Sequence, residues 1–200
     1  AVGAYTAAKV TLGFADVRLA FLPEALSDQL VFAVALAAAM AVTGLAGLLV
    51  GMPSLRLRGD YLAIVTLGFG EIIRSIIENV AWLGGALGLS GLPRRTNLTW
   101  VGISAVATVV MARRLAASTQ GRALFAIRED EVAAEAMGVD TTGYKVRAFA
   151  ISAAYAGLAG ALSAHLIQLA TPGSYGFIRS IEVVVMVVLG GLGSISGSIL

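Results

Sequence analysis

Residues 30–52 form a run of 23 residues without a charged side chain. A helix needs about 20 predominantly apolar residues to cross the hydrocarbon core of a bilayer, and Pro53 stands where such a helix would end. The whole chain is similarly apolar, because 58% of its residues are hydrophobic and 13% are charged. Soluble domains have about 25% charged residues. The sequence therefore predicts an integral membrane protein.

Long apolar segments divide the rest of the chain. They are rich in Ala, Leu and Gly and alternate only weakly, which favours membrane helices over the strands of a barrel. We predict an all-α, polytopic membrane helical bundle with about five spans, forming one transmembrane domain over residues 1–200 that is expected to be a fragment of a longer protein. The predicted spans are residues 30–52, 61–82, 148–170 and 181–200, and residues 1–14 are expected to be the tail of a further span. Residues 98–112 are short for a span, residues 15–28 are an external loop, and residues 83–97 are a loop or re-entrant segment.

Small residues recur at intervals of three or four on the predicted helices. Such faces let helix backbones approach closely in lipid, where packing replaces the hydrophobic effect as the driving force. We therefore expect helix–helix contacts at these positions: Gly44, Gly47 and Gly51; Ala153, Gly157 and Ala161; Gly193 and Gly197.

The residue types needed for enzymatic chemistry are scarce. The absence of Cys excludes disulfides, a thiol nucleophile and a thiolate metal site. His165, the only His, has no acidic residue at ligand spacing, which favours a packed or hydrogen-bonded side chain over a metal ligand. No Gly-Lys-Ser/Thr follows the glycines at 190–193, so helix packing is favoured there over nucleotide binding. We expect no catalytic residue, metal or cofactor in this chain, and the formal charge of +2 does not indicate nucleic acid.

Glu71, Arg74 and Glu78 interrupt the apolar segment at residues 61–82. Glu71 and Arg74 are three residues apart and can pair on one helix face. Ionisable groups at membrane depth are functional candidates, because their burial is costly. The alternative, slightly favoured here, is that these side chains approach the interface and are hydrated. Tyr61 and Trp82 bracket the segment and are typical of interface anchors.

Residues 113–147, which we name the charged segment, hold 11 of the 26 charged side chains. Asp130 suits a helix N-cap, Glu131 suits the positive end of the helix dipole, and Gly138 suits a left-handed position after the helix. A short helix over residues 131–137 is therefore predicted. Its alanines, at 133, 134 and 136, would form a low-relief surface that fits a groove on a soluble partner. The alternative is a solvated helix within a loop, without a binding role.

Four segments resemble the branched-chain amino acid permease family of ABC importers. They are Gly3-Ala-Tyr-Thr-Ala-Ala8, residues 57–74 (Leu-Arg-Gly-Asp-Tyr-Leu-Ala-Ile-Val-Thr-Leu-Gly-Phe-Gly-Glu-Ile-Ile-Arg), the charged segment, and residues 186–197 (Met-Val-Val-Leu-Gly-Gly-Leu-Gly-Ser-Ile-Ser-Gly). The charged segment itself is similar to the cytoplasmic coupling loop that docks on the ATP-hydrolysing subunit of such importers.

The resemblance implies a permease subunit in a bacterial-type plasma (inner) membrane, with residues 113–147 as its cytoplasmic ATPase-coupling loop. Implied partners are two ATP-binding subunits that bind and hydrolyse the ATP, a second permease, an extracytoplasmic substrate-binding protein and an amino acid substrate. Positive charge supports this orientation, with 8 Lys or Arg inside against 4 outside. The implied coupling residues are Arg128, Glu129, Asp130, Glu131, Ala134, Glu135 and Gly138, and the candidates for lining the substrate path are Thr66, Gly68, Gly70 and Glu71.

Three alternatives remain open at the level of sequence. An ABC permease for urea, amides or other amino acids fits the same motifs. An ion-coupled secondary transporter or channel fits the charges at Glu71 and Arg74. A structural or assembly subunit without a path of its own is the third.

Overall fold

The computed structural model describes residues 1–14, 24–57, 60–191, 193–195 and 197. Over these residues the predicted all-α fold is confirmed. Arg58 and residues 15–23 of the predicted first loop lie outside the described residues, and Asp28, expected in that loop, belongs to a helix. The helices are α1 (Val2–Gly13), α2 (Glu24–Ser54), α3 (Asp60–Asn79), α4 (Leu98–Ala117), α5 (Thr119–Glu129), α6 (Glu131–Ala136), α7 (Thr141–Ile167) and α8 (Phe177–Leu189).

Helices α1, α2 and α7 form the core of the bundle. Helices α2 and α7 are antiparallel, because Phe32 packs on His165 while Gly47 packs on Ala150 and Ala153. A Cβ added at Gly47 would lie 2.6 Å from Cβ of Ala153 and 3.4 Å from Cα of Ala150. The predicted small-residue faces of α2 and α7 are thus confirmed as a close helix–helix contact.

Helix α1 lies in the same core. The backbone of Gly157 on α7 occupies the space where a Cβ on Gly3 would stand. At the far end of this contact, Nδ1 of His165 lies 2.9 Å from the carbonyl oxygen of Ala161, and Nε2 lies 3.0 Å from the hydroxyl of Thr11. A carbonyl oxygen only accepts, so Nδ1 carries the proton and donates it. The expectation of a packed, hydrogen-bonded His165 is confirmed.

Among the described residues, four helices are long and apolar enough to cross a membrane: Ser27–Ser54, Leu98–Ala117, Thr141–Ile167 and Pro172–Leu189. The judgement that residues 98–112 are too short for a span was wrong. Helix α4 continues through Arg113 and Arg114 for 20 residues, since long cationic side chains can extend from a helix end towards water. Helix α3 is also 20 residues long but carries the three charged side chains described above.

The last predicted span, residues 181–200, was also wrong in its bounds. Helix α8 runs over Phe177–Leu189, and the chain then turns at Gly191 and Gly193, whose φ angles are +94° and +96°. Such angles belong to the left-handed region, which glycine tolerates and a right-handed helix excludes. Gly193 therefore does not lie on a helix face as predicted, and Gly197 follows it in the same turn region.

A short two-stranded pairing stands at the end of the bundle opposite the charged segment. Strands β1 (Leu89–Ser90) and β2 (Leu169–Ala170) pair antiparallel, with Leu89 opposite Ala170. Gly88 has a φ of +76°, and the carbonyl of Ala170 fills the space beside its Cα. The predicted loop at residues 83–97 is therefore tied to the chain that leaves α7. This pairing helps to fix the position of residues 172–176 beside α3.

Candidate functional site

The charged segment contains the predicted short helix, now defined as α6. The carboxylate of Asp130 accepts hydrogen bonds from the backbone N–H groups of Val132 at 2.9 Å and Ala133 at 3.0 Å. Gly138 follows the helix with a φ of +82°. Both predicted ends are thus confirmed, although α6 ends at Ala136, one residue earlier than expected. Local capping chemistry explains why so short a helix forms in this position.

Helix α6 is attached to the start of α7 by two side-chain contacts. Lys145 Nζ lies 2.6 Å from Glu131 Oε2, and the hydroxyl of Thr141 donates to Glu135 Oε1 at 2.8 Å. Ala134 packs underneath and is 6% exposed. The expectation that Ala134 forms part of an exposed surface was wrong, because this side of α6 faces its own chain. Two polar contacts and the packing of Ala134 thus attach α6 to its own chain.

The exposed face of α6 is apolar and contains two residues that the sequence reasoning missed. Val132 is 65% exposed and Met137, directly after the helix, is 84% exposed. They flank Ala133 and Ala136, which are also exposed. The spacing of positions 132, 133, 136 and 137 is that of one helix face and was readable in the sequence. A contiguous exposed apolar face within a charged segment is typical of a protein-binding surface.

Arg128 does not lie on this face. Its Nη1 atom is 2.7 Å from the position that a Cβ on Gly193 would occupy, so the guanidinium covers the turn after α8. A cavity of about 540 Å³ lies beside this contact, between α4, α5 and residues 193–195. Glu129 is exposed at the end of α5. None of the predicted coupling residues is therefore part of the exposed apolar face. Apart from Glu129, they cap α6, attach it to α7 or contact the chain beyond α8, while Ala134 is buried.

A second cavity, of about 310 Å³, brings together three of the four residues predicted to line a substrate path. Thr66, Gly70 and Glu71 contribute to its wall from α3. Gly68 is not among its lining residues, and nothing lies within 4 Å of where its Cβ would stand. The opposite wall comes from residues that the sequence reasoning did not connect with α3: Tyr175, Gly176, Phe177 and Ser180.

Arg74 is the charged centre of this cavity. Its Nη1 atom lies 3.7 Å from Glu71 Oε2, and its Nε atom donates to Glu78 Oε1 at 2.9 Å. The predicted Glu71–Arg74 pair is confirmed, but the shorter contact is with Glu78. Glu71 is 60% exposed and lines the cavity. Thr66, in contrast, directs its hydroxyl back to the carbonyl oxygens of Leu62 and Ala63 within α3.

Tyr5 on α1 packs on α3, where it lines another, apolar cavity together with Ile73 and Ile77. It is 3% exposed, and among the described residues its hydroxyl is the buried side-chain polar atom that lacks a hydrogen-bond partner. A buried hydroxyl without a partner loses its hydration free energy without compensation. The phenol hydroxyl therefore adds no hydrogen bond to the stability of this contact.

Metal chemistry is not supported in the part of the chain that the structure describes. Its His, Asp and Glu side chains form no group of three or more that could hold a metal ion. The two cavities differ in their lining: Glu71 and Arg74 lie in the wall of one, and residues 193 and 195 lie in the wall of the other.

Comparison with known proteins adds a family. A family model described as branched-chain amino acid transport system/permease component matches residues 1–200. The chain is 39% identical to the high-affinity branched-chain amino acid transport system permease protein LivM of Salmonella typhimurium, over 76% of this chain and 44% of that protein. It is also 39% identical to LivM of Escherichia coli, over 74% of this chain and 43% of that protein. The chain thus spans less than half of these curated relatives, and no solved structure matches it.

Proposed function

The chain belongs to the branched-chain amino acid transport permease family, and we propose that it forms part of the membrane-spanning permease of an ABC importer for branched-chain amino acids. The observation that carries this proposal is the exposed apolar face of α6, formed by Val132, Ala133, Ala136 and Met137, on a helix attached to a membrane-spanning helix. The names of the two LivM relatives support the substrate.

The contacts of α6 support a mechanical role in transport. A soluble ATPase subunit that receives the apolar face would move α6, and the contacts of Glu131 with Lys145 and of Glu135 with Thr141 would carry that motion into α7. Helix α7 packs on α1 and α2 through small residues, so its motion changes the bundle. This chain supplies the force-bearing contact, and a partner chain binds and hydrolyses the ATP.

This role predicts the orientation of the chain in the membrane and the partners on each side. The charged segment, residues 113–147, faces the cytoplasm, where two ATP-binding subunits dock. The opposite end of the bundle, where β1 pairs with β2, faces an extracytoplasmic substrate-binding protein. A second permease completes the membrane unit in a bacterial-type inner membrane. The substrate passes the cavity lined by Thr66, Gly70 and Glu71; Gly68 is not part of the lining of this cavity.

An ion-coupled secondary transporter is the second candidate, and the charged side chains on α3 favour it. Such a transporter has no need of a helix that docks on an ATPase. Accessibility of the α6 face separates the two functions, because in an importer the ATPase covers that face.

The experiment places a single Cys at Met137 of the full-length protein in a background without other reactive Cys. Membranes are labelled from each side with an impermeant maleimide, with and without the co-expressed ATP-binding subunit. A Cys at Leu87, which is exposed at the opposite end, is the control. We expect Met137→Cys to react from the cytoplasm and to be protected by the ATPase, and Leu87→Cys to react from outside without protection. Labelling of Met137→Cys from outside, or no protection, would contradict the importer.

A further inference from the structure

The cavity between α3 and α8 has the size of a site for one small molecule. Its volume of about 310 Å³ is at the lower end of the range of roughly 300–1,000 Å³ found for small-molecule sites. Charged and apolar side chains share its wall, with Glu71 and Arg74 on one side and Phe177 and Ser180 on the other. A ligand must therefore match both charge and apolar surface.

Arg74 can bind an anionic group. One of its five N–H donors is committed to Glu78 at 2.9 Å, while Nη1 lies 3.8 Å from the position of a Cβ on Gly176. Gly176 is the N-cap of α8, where no side chain caps the helix. A carboxylate between the guanidinium and this helix start would meet positive charge from both, because the helix dipole adds to that of the arginine.

Glu71 can bind a cationic group. Its carboxylate stands 3.7 Å from Arg74, beyond the 2.7–3.2 Å of a usual N–H···O hydrogen bond, and its side chain is largely exposed. The carboxylate thus keeps acceptor capacity towards the cavity. Glu78, which is hydrogen-bonded to the same arginine, holds that guanidinium in place.

Arg74 Nη1 and Glu71 Oε2 lie 3.7 Å apart, which is close enough for one α-amino acid to contact both side chains. Leu67 and Phe177, both half exposed at the cavity wall, offer the apolar contact that a hydrophobic side chain needs. We propose that this cavity selects a zwitterionic, apolar α-amino acid, with Glu71 receiving the ammonium group and Arg74 with the start of α8 receiving the carboxylate. This inference rests on the proposed function and names the recognition chemistry of its path. Urea and neutral amides lack both charges and are poor ligands for such a site.

The test measures protection of a single Cys. Ser180→Cys is introduced into the full-length permease, assembled with its partner subunits in lipid nanodiscs, and its rate of reaction with a maleimide is measured. Leucine is compared with its 2-oxo acid, which lacks the ammonium group, and with isopentylamine, which lacks the carboxylate. We expect leucine to slow the reaction at concentrations about 10- to 100-fold lower than either analogue needs, as for hydrogen bonds to charged groups.

Two variants make the assignment specific. Glu71→Gln is expected to weaken protection by leucine about 10-fold or more and to leave the weak protection by the 2-oxo acid unchanged. Glu182→Gln is the matched control, because Glu182 pairs with Arg179 on α8 at 2.7 Å outside the cavity; its protection by leucine should equal that of the parent. Equal protection by all three compounds, or no effect of Glu71→Gln, would overturn the proposal.

ATP-dependent leucine uptake by the same assembly separates the two levels of inference. If the assembly takes up leucine but leucine does not protect Ser180→Cys from the maleimide, the recognition site is rejected and the importer function stands. If the assembly neither transports leucine nor protects Met137→Cys through its ATPase, the importer function itself is wrong.

Discussion

Removal of the Asp130 carboxylate should loosen α6 without unfolding the protein. This carboxylate accepts two hydrogen bonds from the first turn of a helix of 6 residues. Loss of such an N-cap costs about 0.5–2 kcal/mol. Because α6 is too short to be stable alone, the loss of the cap should lower mainly the free energy of local opening of α6. The larger helices, which do not depend on the cap, should keep their stability.

The consequence can be measured as amide hydrogen exchange. A cost of about 0.5–2 kcal/mol corresponds to an increase of about 2- to 30-fold in the exchange rate of amides protected by α6. Peptides covering residues 131–139 of Asp130→Ala should show this increase, whereas peptides of α7 should not. Asp130→Asn is the matched control, since Asn caps a helix about as well as Asp. In the proposed importer, ATP-dependent uptake should fall in Asp130→Ala, because a loosened α6 would transmit less of the motion of the ATPase.

Two results would refute this reasoning. Unchanged exchange in Asp130→Ala would mean that the cap does not hold α6. Increased exchange with normal uptake would mean that an ordered α6 is not needed for transport.

Three further variants test other contacts. Gly47→Ala should lower the free energy of unfolding by about 1–3 kcal/mol in thermal unfolding experiments, because its Cβ would stand 2.6 Å from a side chain of α7. Gly68→Ala is the control and should not lower it, because a Cβ there meets nothing within 4 Å. Equal losses in the two variants would contradict the packing argument. Tyr5→Phe should leave the melting temperature unchanged or raise it, since it removes a buried hydroxyl without a partner; a lower melting temperature would reveal a hydrogen bond to that hydroxyl. Glu135→Arg combined with Gly138→Leu should abolish uptake while membrane insertion persists. The first substitution breaks the contact with Thr141, and the second strains the end of α6. Uptake at the normal rate would count against the importer.

Features set by neighbouring residues could be predicted from the sequence. The cap at Asp130 and the turn at Gly138 depend on side chains and φ angles within a few positions. The apolar length of residues 30–52 similarly required a long helix. Long-range features could not be predicted in this way. Nothing local to Leu89 indicates that it pairs with Ala170, and nothing local to Ala134 shows that it is covered by its own chain.

The cavity proposed for the substrate path likewise combines features that the sequence predicts with features that it does not. Glu71 was a candidate because a charge in an apolar helix is costly, and its helical spacing to Arg74 was correct. The opposite wall comes from residues 175–180, about a hundred positions later, which only the folded chain brings to α3. The end of α8 was misplaced because hydrophobicity continues beyond Leu189, whereas the positive φ angles at Gly191 and Gly193 end the helix. The composition of a segment indicates whether it lies in lipid or in water, but it does not determine the backbone angles within it.

Helix α7 is one continuous helix that runs from the attachment of α6 to the strand pair near the second cavity. Its first turn holds α6 through Thr141 and Lys145, and its last residues lead into β2, whose pairing with β1 fixes the chain before Tyr175. Tyr175 lies in the wall of the cavity that contains Arg74. A displacement of α6 along α7 would therefore move this wall relative to α3, which contacts α7 far less than α1 and α2 do. An importer needs such a difference in attachment, because a cavity that moves as one body with the helix pushing it cannot change its access.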